Sequence, residues 1–303
     1  MQRVKLRERM KQGLFLLDGA MGTQLMASEE VETGQCKEYL NISSGRHVLE
    51  MHHSYINCGS DAILTNTFGG NRITLGRHNL DGKVEEINKA GVQLARQAAG
   101  ENRYVLGDIG PTGDFLEPFG TLKVHELKEA FCQQAESLDK AGADGFILET
   151  MTSADEISIA IQAVKSISKL PILASLAFDR ANNDFRTIMG IGVERGVGQL
   201  IALGVDAVGF NCGKMKLDDY VELAKKYAEV SGKLGQDISL FAELNAGIPE
   251  LVGEQAVYHV QPDEFADACR RIYSCGVSMI GGCCGTGPPH IKAMAKLLRA
   301  VPG

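Results

Sequence analysis

Short apolar runs punctuate the whole chain, and between them the apolar positions fall at helical spacing. The runs are Leu14–Leu17, Ala62–Thr65, Tyr104–Ile109, Gly145–Leu148, Ile172–Phe178, Ala207–Phe210, Ile238–Ala242 and Val277–Ile280. Runs this short, bounded by polar or glycine-bearing turns, read as buried strands. The segments before them read as amphipathic helices, several ending in a glycine turn: Asn57-Cys-Gly-Ser-Asp61, Ala141-Gly-Ala-Asp144, Leu203-Gly-Val-Asp206 and Ser274-Cys-Gly-Val277. Eight such repeats with no composition break and no linker predict a single-domain α/β protein, a (β/α)8 TIM barrel over residues 1–303. A doubly wound sheet is the alternative. It usually has fewer strands and a phosphate fingerprint after the first, and Asp18-Gly-Ala-Met-Gly-Thr23 lacks the full G-x-G-x-x-G spacing.

The last repeat carries the most unusual turn, Val277-Ser-Met-Ile-Gly-Gly-Cys-Cys-Gly-Thr-Gly-Pro-Pro-His290. Pro288 and Pro289 open a helix whose apolar positions are Ile291, Met294, Leu297 and Leu298. Neighbouring residues on a strand point to opposite faces, so Cys283 and Cys284 reach one metal only if the backbone leaves regular β structure. Gly281, Gly282 and Gly285 permit that. The turn by itself is compatible with a zinc site, a vicinal disulfide, two inert thiols or a phosphate-cradling loop.

At 303 residues and 44% hydrophobic, the chain can bury a large core. A net charge of −7 with scattered basic residues offers no footprint for nucleic acid or an acidic membrane and favours small-molecule chemistry. The segment Met1 to Gln12 reads as a charged helix, the apolar run after it is too short for a signal peptide, and no window reaches the length of a membrane span. Eight cysteines without a secretion signal suggest a reducing, cytoplasmic setting in which thiols serve metals or catalysis.

A barrel gathers the residues after each strand at one mouth. Here they are Asp18, Asn66 with Thr67, Asp108, Glu149, Asp179, Asn211 with Cys212, Glu243 with Asn245, and Cys283 with Cys284. No lysine or histidine is among them, which argues against Schiff-base aldolase chemistry and weakens hydrolytic readings. Cys212 supplies a third thiol, one strand away from the cysteine pair, so the three are expected to converge on a tetrahedral zinc. Cys36, Cys58, Cys132, Cys269 and Cys275 fall in loops and helices and read as small buried hydrophobes. His52 and His53, on a helix from about Arg46 to Cys58, read as packed or solvated. Asp18 and Glu149 follow apolar runs directly, which suits a ligand ammonium or a helix cap.

The motifs Leu17-Asp-Gly-Ala-Met-Gly-Thr23, Thr65-Asn-Thr-Phe-Gly69, Gly107-Asp-Ile-Gly-Pro-Thr112, Leu148-Glu-Thr150, Gly209-Phe-Asn-Cys212, Asn245-Ala-Gly247 and Gly281-Gly-Cys-Cys-Gly285 resemble those of the zinc-dependent homocysteine S-methyltransferases. The likeness runs from about Leu14 to Leu298 and is greatest to the homocysteine-binding module of cobalamin-dependent methionine synthase. It implies zinc on Cys212, Cys283 and Cys284, a homocysteine ammonium held by Asp18 and Glu149, and a carboxylate met by backbone N–H groups of Gly19, Ala20, Met21, Gly22 and Thr23. Asn66 and Asp108 are expected to line the substrate site, and Asn245 to sit at the metal's open position.

The same resemblance implies methyl transfer from methylcobalamin, a methylcorrinoid carried by a partner protein or module. The chain ends shortly after its eighth predicted helix, so it reads as a separate subunit or an excised fragment. An onium donor such as S-methylmethionine is the alternative, as is a zinc-buffering protein without turnover. A quaternary donor would call for an aromatic box, yet the chain has no Trp, and Phe68, Phe115 and Phe119 are the aromatics expected near the mouth. Leu244 stands where methionine synthases usually carry proline, with acidic Glu243 beside it. The segments 179–190 and 246–261 read as the longest rim loops, offering Arg186, Glu250 and Glu254 to a docking partner.

Overall fold

The computed structural model describes residues 3–27, 34–235, 237–253 and 255–300. Eight parallel strands form one sheet: β1 (Phe15–Leu16), β2 (Ala62–Leu64), β3 (Tyr104–Ile109), β4 (Gly145–Met151), β5 (Ile172–Leu176), β6 (Ala207–Asn211), β7 (Ser239–Leu244) and β8 (Met279–Gly282). From β2 to β8 each strand pairs with the next in the chain, and β8 pairs in turn with β1, Phe15 lying opposite Met279. The outer helices are α1 (Gly45–Cys58), α2 (Val84–Ala99), α3 (Val124–Ala141), α4 (Ala154–Ile167), α5 (Val193–Ala202), α6 (Leu217–Lys233), α7 (Pro262–Tyr273) and α8 (Pro288–Arg299). This is the (β/α)8 barrel the periodicity predicts.

The ladder is interrupted at one seam, between β1 and β2, where side chains replace it. Asp61 N–H donates to the Leu16 carbonyl (2.7 Å), Asp61 Oδ2 accepts from Leu16 N–H (3.0 Å), and Asp18 Oδ2 accepts from Leu64 N–H (3.0 Å). Asp144 and Asp206 repeat the device beneath β3 and β5, accepting from Val105 N–H (2.8 Å) and Ile172 N–H (2.9 Å). The Gly-x-Asp turns noted in the sequence are therefore stitches between consecutive strands.

Two apolar layers make the core. One lies between strands and helices; the other fills the lower barrel with Phe15, Leu17, Ala62, Tyr104, Leu106, Ile147, Leu173, Ala207, Phe241 and Met279. Leu6 and Met10 join this inner cluster from the N-terminal segment, whose one helical turn is Leu6–Arg9. The charged N-terminal helix expected from the sequence is thus a short plug. Its apolar side closes the barrel floor, and Arg7 pairs outward with Asp206 at 2.5 Å. Met1 and Gln2 lie outside the described residues.

Three connections above the strands differ from the plain loops expected. The segment after β5 folds into an antiparallel hairpin (Asp179–Ala181 with Asp184–Arg186), and the one after β7 does likewise (Glu250–Val252 with Gln255–Val257). Glu254 lies outside the described residues. The longest connection is the one between β1 and α1, which contains short helices at Gly22–Met26 and Leu40–Ser43.

Candidate active site and metal centre

Alternation along the strands decides what faces the barrel axis. Leu106, Ile147 and Phe241 belong to the inner cluster, so the residues two positions further on, Asp108, Glu149 and Glu243, face the same way one layer higher. There they line a pocket of about 210 Å³ at the mouth, together with Asp18, the turn Gly19 to Thr23, Lys37, Asn66, Cys212, Cys283 and Cys284.

The three cysteines reach this pocket through special backbone. Cys212 has φ +54°, followed by Gly213 at φ +83°, where a Cβ would sit 1.9 Å from the Phe178 carbonyl oxygen. Beyond β8, Cys283 N–H donates to the Leu244 carbonyl (2.7 Å) and the Cys284 carbonyl accepts from Ala246 N–H (2.9 Å). Gly285 then turns at φ +79° against the Tyr258 ring, leaving no room for a side chain. The strand has ended before the cysteine pair, and both thiols therefore point inward. The three sulfur atoms lie within 4.8 Å of one another, with Cys212 and Cys284 3.9 Å apart. A tetrahedral zinc with Zn–S bonds near 2.3 Å separates its sulfurs by about 3.8 Å, so the cluster has the size such an ion requires. Among the described residues it is the one group of three or more His, Cys, Asp or Glu side chains so placed. Hydrogen bonds from the Cys212 and Cys283 thiols hold Cys284 well below the usual thiol range, at about 3. Cys36, Cys58, Cys132, Cys269 and Cys275 stand apart from the cluster, as expected.

Asn211, fully buried, joins the sulfur cluster to the carboxyl groups. Its Oδ1 accepts from Thr150 N–H and Ser175 Oγ–H (both 2.8 Å), while its Nδ2 donates to Glu149 Oε2 and lies 3.7 Å from Cys283 Sγ. Burial and then the neighbouring Cys212 push Glu149 up to about 7. Burial raises Asp18, Asp108 and Glu243 well above the carboxylate range, each further raised by its acidic neighbours. Asp18, Asp108, Glu149 and Glu243 share the pocket with Glu38, and the cation among the pocket-lining residues is Lys37.

Other expected residues are placed with more qualification. Asn66 lines the pocket, but its amide donates to the Lys37 carbonyl (2.7 Å) and Asn41 Oδ1 (3.1 Å), which fixes the β1–α1 connection. In the turn, Ala20 N–H is taken by Thr286 Oγ1 (3.1 Å). Asn245 lies outside the pocket, on the other side of Cys212: its Nδ2 is 3.8 Å from that sulfur and donates to the Gly213 carbonyl at 2.9 Å. There a second hollow of about 310 Å³ is bounded by Ile188, Pro249 and Tyr258. Phe68 lines the main pocket, whereas Phe115 and Phe119 are exposed. Lys37 and Glu38 were missed in the sequence because the β1–α1 connection is far from any strand end. Glu243 was visible there as an oddity without a role, and its phase with Phe241 is the signal that places it.

The profile of the homocysteine S-methyltransferase family matches residues 15–298. The chain belongs to this family. It is 30% identical over 309 residues to the methionine synthase of Mycobacterium leprae and 29% identical over 305 residues to that of Mycobacterium tuberculosis. The alignments take in 96% and 94% of this chain but 25% of each relative, so the chain spans about a quarter of the length of these methionine synthases. Among solved structures, the metallated homocysteine methyltransferase MmuM of Escherichia coli superposes with a TM-score of 0.78 at 22% identity, covering 98% of this chain and all of that one. The carboxyl transferase domain of Rhizobium etli pyruvate carboxylase gives 0.52 at 13% identity, covering 97% of this chain and 48% of that one; it shares the fold alone. No helix among the described residues is long and apolar enough to cross a membrane.

Proposed function

We propose that this chain binds zinc through Cys212, Cys283 and Cys284 and methylates homocysteine on sulfur to give methionine, with the methyl group supplied by a methylcorrinoid on a partner protein or module. The convergence of three thiols beside a pocket lined with carboxyls carries the reading. Zinc bound there would supply the acidity that removes the proton of an incoming thiol, whose ordinary pKa near 8.5 leaves it a poor nucleophile at neutral pH. With the three cysteines as thiolates the loaded site would be anionic, which would keep an incoming sulfur electron-rich and leave the pocket's own carboxyls to bind the substrate rather than to move a proton.

The protein's remaining task is to hold a zwitterion. Asp18 and Glu149 face the pocket where an ammonium would lie. Lys37 Nζ stands 3.2 Å from the position a Cβ on Gly22 would take, beside the turn in which Ala20 N–H is engaged by Thr286 Oγ1. This division of charge matches an α-amino acid and gives Lys37 a part in holding its carboxylate. The donor assignment rests on the likeness to methionine synthases. An onium donor would favour aromatic faces, and Phe68 is the one aromatic side chain lining the pocket.

The zinc-loaded chain should form methionine from homocysteine and methylcobalamin. Cys212→Ala, Cys283→Ala and Cys284→Ala should each lose zinc by metal analysis and lose turnover, whereas Cys36→Ala keeps both. Full zinc occupancy in all three variants would remove the reading.

A further inference from the structure

Two of the acids lining the pocket, Glu243 and Asp108, carry a buried oxygen with no hydrogen-bond partner among the described residues, and Glu243 is the more deeply buried of the two. It is 1% exposed and lines the cavity, and its Oε2 finds no hydrogen-bond partner among the described residues. Its charged neighbours are the acids Glu149 and Asp18, not a cation. A buried carboxyl in this position is costly unless a donor meets it, and none meets Oε2 among the described residues.

The other acids define the missing donor by what they have already spent. Asp18 commits Oδ2 to Leu64 N–H across the β1–β2 seam. Glu149 commits Oε2 to Asn211 Nδ2 and Thr150 Oγ1. Each therefore keeps one oxygen for a ligand. Asp108 Oδ1 is also without a partner among the described residues, but Asp108 stands on β3, next to the strand of Glu149, whereas Glu243 enters from β7 on the opposite side of the barrel. An ammonium presents three N–H donors. Two meet Asp18 and Glu149; the third requires another acceptor, buried and aimed into the same pocket.

We infer that Glu243 is that acceptor, a further specificity-determining residue that binds the ammonium of the amino-acid thiol alongside Asp18 and Glu149. The inference rests on the proposed homocysteine reading and deepens it. Glu243 selects for a charged amino group on the acceptor, because a thiol without one leaves its carboxyl buried against two other acids. It reaches this place through strand phase: it sits opposite Asn211 on one side and Gly281 on the other, and Gly281 contributes no side chain to fill the space.

The test compares two thiols differing only in the amino group, homocysteine and 4-mercaptobutyrate, by calorimetric titration of the zinc-loaded chain and its Glu243→Gln and Glu243→Leu variants. Homocysteine should bind roughly tenfold to a hundredfold more weakly to both variants, the range for a lost charge-assisted hydrogen bond. 4-Mercaptobutyrate should bind as well as to the unaltered chain, or better, because its ammonium-free end no longer faces an unpaired carboxyl. A general distortion would weaken both thiols equally, and that result overturns the assignment, as does unchanged homocysteine affinity. If the unaltered chain binds neither thiol, the homocysteine reading itself falls, an outcome separate from failure of the Glu243 assignment in a chain that binds homocysteine well.

Discussion

Glu149 and Cys212 influence each other through Asn211 and through space, so the carboxyl and sulfur halves of the site are one electrostatic unit. Replacing Glu149 with Gln keeps the volume and the contact with Asn211 but removes the charge an ammonium would meet. Homocysteine should then bind roughly tenfold to a hundredfold more weakly while zinc content stays at one per chain, a cost of about 1.5–3 kcal/mol for one charge-assisted hydrogen bond. Titration with homocysteine alongside metal analysis checks both halves; unchanged affinity would leave Glu149 a structural support for the Thr150 turn. At this scale the sequence revealed residues that follow strand ends, because the barrel rule converts position into exposure at the mouth. It did not reveal Lys37, carried in from the β1–α1 connection, or the fact that the amide of Asn66 is occupied by Lys37 and Asn41. Those depend on how one loop folds over another strand, which no local pattern encodes.

Helix α1 shows what one element contributes beyond the site. It packs against α2 and α8, and His52 faces inward, fully buried, with neither ring nitrogen hydrogen-bonded among the described residues. Burial, then His53 nearby, depresses His52 from 6.5 to about 3. Below about pH 6.5 the unfolded chain takes up a proton that the folded chain refuses, so stability falls as pH drops toward 3, by up to roughly 1.4 kcal/mol per unit. His52→Leu should reduce the loss in urea-unfolding free energy between pH 7 and pH 5, measured on zinc-free protein; an identical loss in both chains would mean His52 is solvated. The strands were the most legible elements, since each is a short run buried on both faces. The limits were local: β1 has two residues because side chains take over its pairing with β2, and β4 runs past Leu148 to Met151 through an irregular register against β5. The rim hairpins escaped notice because their strands are three residues long, too short to show an alternating or apolar run.

The molecule as a whole is closed below and open above. Leu6 and Met10 seal the barrel floor, so any donor must approach from the mouth, where a corrinoid is far too large to enter a pocket of about 210 Å³. It would have to present its methyl group from the rim. The turn that follows the first rim hairpin and a strand of the second carry exposed apolar side chains, with Ile188 80% and Leu251 77% accessible, and Ile188 also borders the hollow beside Cys212. The charges first expected to matter are engaged locally: Glu250 pairs with His259 at 3.0 Å, and Arg186 Nη2 lies 3.9 Å from Asp184. These exposed apolar side chains are therefore the better contacts for a partner that must dock and leave in each cycle, since isolated exposed apolar groups cost little in the free state yet gain about 25 cal/mol per Å² when covered. Ile188→Asp and Leu251→Asp should lower the rate with a methylcorrinoid protein several-fold while leaving homocysteine affinity and the rate with free methylcobalamin unchanged. If free and protein-bound donors respond alike, the hairpins are not a partner surface, and a small-molecule methyl donor becomes the stronger reading of this mouth.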